Sequence, residues 1–356
     1  MALKRWRLLV VLAAATIAVA AIAIWSRTQS VGGLEGAPPH AALGQFELGV
    51  VAGREPLRQL RWASRIGAKA VRVEFSIDDS PGQMASVIGG YALAGIRVLV
   101  LAGFEGRIPT RTESERLASW ASTFGSGGSF WRTHPGGAYA IRDIEFGNET
   151  SYGYQFGGCG PGCAGYMARA RAYALAFAAA QRAIVGPHGN PLVGLLAQGD
   201  YGGDGDEWVN GMFDAVPDLA YLVAGWTVHP YGPRSRWQES LDSLVSQTAA
   251  RGAPPSIPIF ITEWGLTSDN GPCLSENYGW NRCMTYSQAA QALDSTVEEM
   301  RARYAPRIRS LFVYQLADQR PAGYGDREDY FGVLRDNGGW KGAYTTAVRV
   351  LLRADP

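Results

Sequence analysis

The sequence predicts a (β/α)₈ barrel, a single domain in which eight parallel strands close into a ring inside a layer of helices. Three observations support this prediction. Eight short apolar runs follow one another along the chain, helical or loop segments separate them, and 356 residues suffice for such a domain and its core. An open doubly wound sheet is the alternative. No Gly-x-Gly-x-x-Gly turn follows the first run, which disfavours the dinucleotide-binding form of that sheet.

The predicted strands are near-continuous apolar runs, the pattern expected of parallel strands covered on both faces. They lie at 46–53, 68–75, 97–104, 139–147, 191–199, 224–232, 258–265 and 309–317. The clearest helical patterns lie at 115–124, 164–184, 235–250, 287–303 and 343–353. Repeated strand–helix order predicts right-handed crossovers. The carboxyl ends of all the strands should therefore meet at one rim of the barrel, where such folds build their active sites.

The first 30 residues form a segment distinct from the barrel. Lys4, Arg5 and Arg7 precede an uncharged stretch at 8–25, which is close to the minimum length of a membrane-spanning helix. The positive flank should stay in the cytoplasm and direct the following chain outside. A signal anchor and a cleaved signal peptide both remain open, because Ala-Val-Ala and Ala-Ile-Ala triplets lie near the end of the stretch. The length of the apolar stretch favours the anchor.

Residues 31–45 are predicted to be a flexible linker, and 46–356 the barrel domain. The net charge is only +1. No basic run follows the amino terminus, which argues against a nucleic-acid partner. We expect a monomer that is either anchored in the membrane with its barrel outside the cytoplasm or secreted.

Four cysteines agree with export, because disulfides persist in oxidising compartments. Four cysteines allow three pairings. We favour Cys159 with Cys163 and Cys273 with Cys283, since each pair would close a loop that already contains turn residues. A four-cysteine zinc site is the alternative.

Two glutamates stand where apolar strands give way to loops. Glu149 ends the run YAIRDIEFGNE, and Glu263 ends the run PIFITE. On a barrel both would lie at the active-site rim, at the ends of the fourth and seventh strands. Enzymes that cleave glycosidic bonds typically use such a pair of carboxyl groups. An esterase is disfavoured, because no Gly-x-Ser-x-Gly elbow occurs.

The segments around these glutamates resemble those of the clan A glycoside hydrolases, a group of retaining (β/α)₈ enzymes that includes the family 5 cellulases and mannanases and the family 39 enzymes. The matching segments are FGNET at 146–150, VHPYG at 228–232 and ITEWG at 261–265. They supply Asn-Glu at the fourth strand end, His-x-Tyr at the sixth and Glu at the seventh. The resemblance spans roughly 46–353. Each motif is weak alone, but their order and strand placement are specific.

This resemblance implies unequal roles for the two glutamates. Glu149 would be the acid/base and Glu263 the nucleophile of a retaining hydrolase acting on a β-linked poly- or oligosaccharide. Asn148 would hydrogen-bond the sugar 2-hydroxyl. Arg72 would keep Glu263 ionised, and Tyr231 could donate a hydrogen bond to it. No metal or organic cofactor is implied.

Three further residues are predicted to contact substrate. His229 would bind a hydroxyl or orient Tyr231, with a simple strand cap as the alternative. Trp264 and Tyr314 would be sugar platforms or barrel packing. Two departures from the family pattern concern the third strand, which offers Glu105 instead of a histidine, and the eighth strand, which lacks a tryptophan.

Aromatic residues crowd the predicted rim, and two or three of them should form sugar subsites, because sugar rings pack on aromatic faces. The candidates are Tyr152, Tyr154, Phe156, Tyr201, Trp208, Trp237, Tyr278 and Trp280. Two other functions remain open. One is a non-catalytic carbohydrate-binding barrel, and the other is a transglycosylase that remodels cell-surface polysaccharide.

Overall fold

A computed structural model describes residues 46–53, 55–158, 160, 162–199, 206–271, 284–321 and 327–354. Within these residues eight parallel strands pair in sequence order, and the first also pairs with the last, which closes the barrel. The predicted (β/α)₈ barrel is confirmed. The predicted N-terminal segment at 1–30 and linker at 31–45 lie outside the described residues. None of the described helices has the length and hydropathy needed to traverse a lipid bilayer.

Each strand overlaps the run predicted for it. The bounds are β1 Glu47–Val51, β2 Ala70–Ser76, β3 Arg97–Gly103, β4 Asp143–Phe146, β5 Gly194–Gln198, β6 Gly225–Val228, β7 Ile259–Trp264 and β8 Ile308–Val313. The strands β6 and β8 end four residues before the predicted ends, and β4 begins four residues after its predicted start at 139. Gly136 has a φ of 98°, and Gly137–Tyr139 form a single 3₁₀ turn there, so pairing starts later.

Helices follow the strands around the ring. They are α1 Pro56–Ile66, α2 Pro81–Leu93, α3 Arg111–Glu115, α4 Leu117–Phe124, α5 Tyr166–Val185, α6 Asp206–Ala215, α7 Arg234–Ala250, α8 Tyr286–Tyr304 and α9 Gly342–Ala354. The sequence prediction named neither α1 nor α2, although both carry a start signal. Each begins with proline in its first turn, and Ser80 and Gln83 form a capping box on α2.

The interior of the barrel is filled below its carboxyl-terminal rim. Phe260 and Phe312 project into the barrel, and their rings lie so close to Gly225 and Gly49 that a Cβ atom at either glycine would overlap a ring. The smaller members of this interior cluster are Val51, Ala70, Leu99, Leu196 and Ala224. Among the described residues, this apolar plug closes the base of the barrel and leaves the polar residues above it facing the rim.

A buried ion pair fastens the loops that follow β7 and β8. Lys341, which precedes α9, is 1% exposed. Its Nζ donates to the Asp318 carboxylate at 2.7 Å and to the carbonyl oxygens of Ser268 and Tyr330 at 3.0 Å each. One cation thereby holds three rim segments together beside the carboxyl ends of these strands.

Candidate active site

The rim carries a cleft of about 1320 Å³, and both glutamates line it. Pockets for drug-sized ligands usually measure about 300–1,000 Å³. The cleft therefore has room for more than one sugar unit. Asn148, Tyr231 and Tyr314 also line it, so these three predicted substrate-binding residues lie where a ligand would reach them.

Glu149 occupies a constrained turn immediately after β4. Its φ of 44° is positive, which is uncommon for a residue with a side chain and indicates a backbone that its surroundings hold in place. The next residue supplies one such restraint, because the backbone N–H and hydroxyl of Thr150 both donate to Oε1 of Gln198 at the end of β5. The Glu149 carboxylate contacts His229 Nδ1 at 3.0 Å and accepts a bond of 3.2 Å from Gln155 Nε2.

Glu263 is held through both of its carboxylate oxygens. Oε1 accepts a hydrogen bond of 2.5 Å from Arg72 Nη1, and Oε2 accepts one of 2.9 Å from the hydroxyl of Tyr231. The residue is 8% exposed. Two donors therefore fix the orientation of a carboxylate that also lines the cleft.

The two glutamates lie close together across the rim. One carboxylate oxygen of each, together with one ring nitrogen of His229, all lie within 4.8 Å of one another. Retaining glycosidases hold their carboxyl groups about 5–5.5 Å apart, whereas inverting enzymes need about 6.5–9.5 Å to admit a water molecule. An oxygen-to-oxygen distance of at most 4.8 Å lies nearer to the first spacing than to the second.

A third carboxylate, Glu145 on β4, lies beneath the pair. Arg72 joins it to the site, with Nε donating to Glu145 at 2.5 Å and Nη2 donating to Asn148 Oδ1 at 2.7 Å. Burial opposes charge on Arg72, but Glu145 and Glu263 raise the pKa of its guanidinium above the usual range. Burial likewise opposes charge on Glu145, but Arg72 and then His229 lower its pKa to about 2. These groups therefore stay charged at neutral pH.

His229 connects the buried carboxylate to Glu149. The Thr262 hydroxyl donates to Glu145 at 2.7 Å, so its oxygen is left to accept from His229 Nε2 at 3.0 Å. Burial lowers the pKa of His229, but the nearby carboxylates of Glu263, Glu145 and Glu149 outweigh it and raise the pKa to about 10. The ring is therefore an imidazolium at neutral pH, with both nitrogens donating.

The pKa of His229 predicts a fall in stability in alkaline solution. A histidine whose pKa is raised from about 6.5 to about 10 stabilises the fold fully below the first value. That contribution is lost as the pH rises through the second. Urea titrations between pH 6 and pH 10 should show the free energy of unfolding of the wild type falling more steeply than that of His229→Gln.

A matched control is His188→Gln, since His188 is exposed in the turn after α5. This variant should follow the wild-type slope. Equal slopes for the wild type and His229→Gln would show that His229 is not charged in the fold.

Three predicted substrate-binding residues are buried, although Arg72 still lines the cleft. Arg72 and His229 are each 3% exposed and Trp264 is 1% exposed. Arg72 and His229 contact the glutamates, so their position suits support of the site. The ring of His229 lies against Glu149, while its carbonyl accepts from the Tyr231 N–H at 2.8 Å, and its predicted contact with substrate stays a prediction. Trp264 packs in the apolar core, which leaves its ring unsuited to be a sugar platform.

The predicted rim aromatics divide into two groups. Tyr152 and Tyr154 line the cleft, and Tyr154 is 68% exposed. Trp208 and Trp237 were wrongly placed at the rim, because both are fully buried, on α6 and α7. Phe156 packs against the guanidinium of Arg169. The remaining candidates, Tyr201, Tyr278 and Trp280, lie outside the described residues.

Three polar residues of the site were not predicted. Glu74 and Glu145 were overlooked although each is a charged residue within an otherwise apolar strand, which is itself a signal of an interior polar site. Thr262 gives no such signal, because threonine is common on strands.

One group of the described residues could hold a metal ion, namely Glu149, His229 and Glu263. Each of the three already has a partner. Arg72 occupies one oxygen of Glu263, and the charged ring of His229 faces Glu149. A cation bound there would have to displace two positive groups, so the donor set does not suit a metal.

The disulfide predictions are tested only at Cys163, which is disulfide-bonded. Cys159, Cys273 and Cys283 lie outside the described residues. The predicted pairings therefore stay predictions.

No protein-family model and no curated protein matches the sequence. Solved structures do match the fold. A fungal β-1,4-galactanase matches with a TM-score of 0.55 at 12% identity, over 86% of this chain and 100% of that one. A β-glucosidase from Exiguobacterium marinum matches with a TM-score of 0.52 at 12% identity, over 84% and 86%.

A β-D-glucuronidase from Dictyoglomus thermophilum matches with a TM-score of 0.51 at 13% identity, over 88% of this chain. This chain spans about half of that enzyme, covering 51% of its length. At such identities the likeness shows a shared (β/α)₈ barrel.

Proposed function

We propose that this protein is a retaining glycoside hydrolase that cleaves the O-glycosidic bonds of a β-linked poly- or oligosaccharide. The observation that carries the proposal is the pair of rim glutamates with carboxylate oxygens within 4.8 Å. Their surroundings differ, since Glu263 is held by a guanidinium and a phenol while Glu149 is not. Two carboxyl groups at this spacing and in unlike environments are what double displacement requires.

The shared fold supports the proposal. By their names, the three matched structures belong to a galactanase, a glucosidase and a glucuronidase, and each name specifies a β-linked sugar. Such a barrel hosts many chemistries, so the fold raises the expectation of this activity without establishing it.

In the first step, Glu263 attacks the anomeric carbon while Glu149 gives its proton to the glycosidic oxygen. The bond from the anomeric carbon to that oxygen breaks, the leaving sugar departs as an alcohol, and a glycosyl ester forms on Glu263. Arg72 and Tyr231 fix the two oxygens of Glu263, so one lone pair faces the cleft. Attack then needs little reorganisation.

In the second step, Glu149 is a carboxylate and takes a proton from water. The water oxygen bonds to the anomeric carbon, the ester bond breaks, and Glu263 is regenerated as a carboxylate. Two inversions restore the β configuration. Asn148 lines the cleft beside Glu149, with Oδ1 held by Arg72, which leaves its amide N–H₂ to bond the sugar 2-hydroxyl.

The acid role of Glu149 is tested by Glu149→Gln. Without a proton donor, kcat/KM for a natural polysaccharide should fall by about 10²–10⁴-fold. Aryl glycosides with good leaving groups need little protonation, so formation of their glycosyl ester should be much less affected. Pre-steady-state release of the aryl group measures that step.

The control for this experiment is Glu239→Gln, an exposed glutamate on α7 outside the cleft. It should match the wild type on both kinds of substrate. Equal losses of Glu149→Gln on good and poor leaving groups would contradict the acid role.

We also propose that the barrel acts outside the cytoplasm, either tethered by the N-terminal segment or secreted. The positive flank of Lys4, Arg5 and Arg7 before an uncharged stretch supports this proposal. The disulfide at Cys163 also supports it. Fractionation of expressing cells, followed by protease treatment of intact cells, tests it.

A further inference from the structure

Two polar side chains of the cleft are not used by the catalytic pair or by the groups that hold it. They are Glu74 on β2 and Gln315, which follows β8. Because β1 pairs with both β2 and β8, these residues flank the end of one strand. They mark a part of the cleft to one side of Glu149 and Glu263.

Glu74 presents its carboxylate to the cleft. Among the described residues, no hydrogen bond or ion pair engages that carboxylate, while Arg72 two positions earlier is fully paired with Glu145 and Glu263. The carboxylate rests against the backbone of Gly103 on β3, where a Cβ atom would collide with it. The absence of a side chain on β3 therefore gives this acid room at the wall of the cleft.

Gln315 is 4% exposed, yet its Nε2 has no hydrogen-bond partner within the described part of the chain. Its backbone is fixed, since its N–H donates to the Phe331 carbonyl and its own carbonyl accepts from Val333. A buried donor without a partner costs stability, and a ligand or a water molecule in the cleft can satisfy it. Rotation about the terminal bond lets either end of the amide meet a sugar hydroxyl from the cleft.

The charge near these groups is negative. Glu105 follows β3 and also lines the cleft, and no ion pair engages it among the described residues. Two cations on this side are paired, Arg58 with Glu55 at 2.8 Å and Arg320 with Asp329 at 3.5 Å. Arg72 is buried and paired with Glu145 and Glu263, and Arg236, the other arginine lining the cleft, lies on α7, which follows β6. A sugar carboxylate in this part of the cleft would therefore meet like charge.

We propose that the part of the cleft over β8, β1 and β2 is a subsite for an uncharged sugar and discriminates against uronic acids. Gln315 hydrogen-bonds a hydroxyl group. Glu74 accepts from another hydroxyl and repels a carboxylate. This inference rests on the proposed function to the extent that the cleft takes a carbohydrate, and it narrows the substrate to neutral β-linked glycans.

The test uses matched ligands that differ only in charge. Neutral β-linked gluco-, manno- and galacto-oligosaccharides are compared with the same oligosaccharides after oxidation of their primary hydroxyls to carboxylates. Calorimetry on the full chain at pH 7 gives Kd for each. The best neutral ligand should bind at least about tenfold more tightly than its oxidised form.

Two variants locate the effect. Glu74→Gln should reduce the preference for the neutral ligand to about threefold or less, because the repulsion is gone. Gln315→Ala should weaken binding of the neutral ligand by about three- to tenfold. The controls Glu239→Gln and Gln291→Ala alter exposed helix positions and should leave every Kd unchanged.

The inference is overturned if the oxidised ligand binds as well as the neutral one, if Glu74→Gln leaves the preference intact, or if no neutral ligand binds. Hydrolysis of the same ligands is measured separately. Selective binding without hydrolysis would remove the proposed function and keep the subsite. Hydrolysis without selectivity would keep the proposed function and remove the subsite.

Discussion

Replacing Glu263 with alanine is expected to lower kcat/KM by about 10⁴-fold or more. The residue supplies the attacking oxygen, and no other carboxylate among the described residues is held by both Arg72 and Tyr231. Without it the glycosyl ester cannot form. Initial rates on an aryl β-glycoside measure the loss, and unfolding curves establish that the variant is folded.

Addition of azide distinguishes loss of the nucleophile from general damage to the site. Azide can enter the space vacated by the shortened side chain and attack the anomeric carbon itself, which gives an α-glycosyl azide after one inversion. Glu263→Ala should recover activity in azide and form this product, while Glu239→Ala needs no rescue. Formation of a β-glycosyl azide by Glu263→Ala would assign the nucleophile elsewhere.

The second large effect is expected for Arg72→Met, which should reduce the free energy of unfolding by about 3–5 kcal/mol. The guanidinium is 3% exposed and pairs with Glu145 and Glu263 at 2.5 Å each. Methionine fills a similar space but leaves two carboxylates withdrawn from water without the guanidinium that pairs with both. Equilibrium urea unfolding at pH 7 measures the change.

Arg111→Met is the matched control. Arg111 also pairs with a glutamate, Glu115 at 2.7 Å, but its side chain is 83% exposed. Solvent screens that pair, so its loss should cost about 0.5 kcal/mol or less. Similar losses for the two variants would show that the Arg72 pairs are no more important than a surface contact.

The barrel was predictable because its signal is repeated. Each strand is an apolar run buried on both faces, and the ring closes with β1 beside β8 as eight successive units require. Glu149 and Glu263 were placed by the same logic, since a carboxylate at the carboxyl end of a parallel strand must face the rim. Tyr231 was also expected near Glu263, and its hydroxyl donates to that residue at 2.9 Å.

The support beneath the glutamates was not predictable to the same degree. Glu145 has its partners at 72 and 262, on other strands, and nothing local to DIEF reveals them. Side-chain direction was a second difficulty. Trp264 directly follows Glu263, and adjacent strand residues face opposite sides, so one faces the cleft and the other the core. Trp208 and Trp237 were assumed to lie on rim loops, but they lie on helices and face the core.

The proposed function requires Glu263 to form a glycosyl ester while Glu149 transfers the proton. Aryl 2-deoxy-2-fluoro-β-glycosides of glucose, mannose and galactose test this most directly. The fluorine slows both formation and hydrolysis of the ester, and a good leaving group restores the rate of formation, so the ester accumulates. Peptide mapping by mass spectrometry should find one sugar per chain on Glu263, and none in Glu263→Gln. A label on Glu149 or on any other residue would contradict the account.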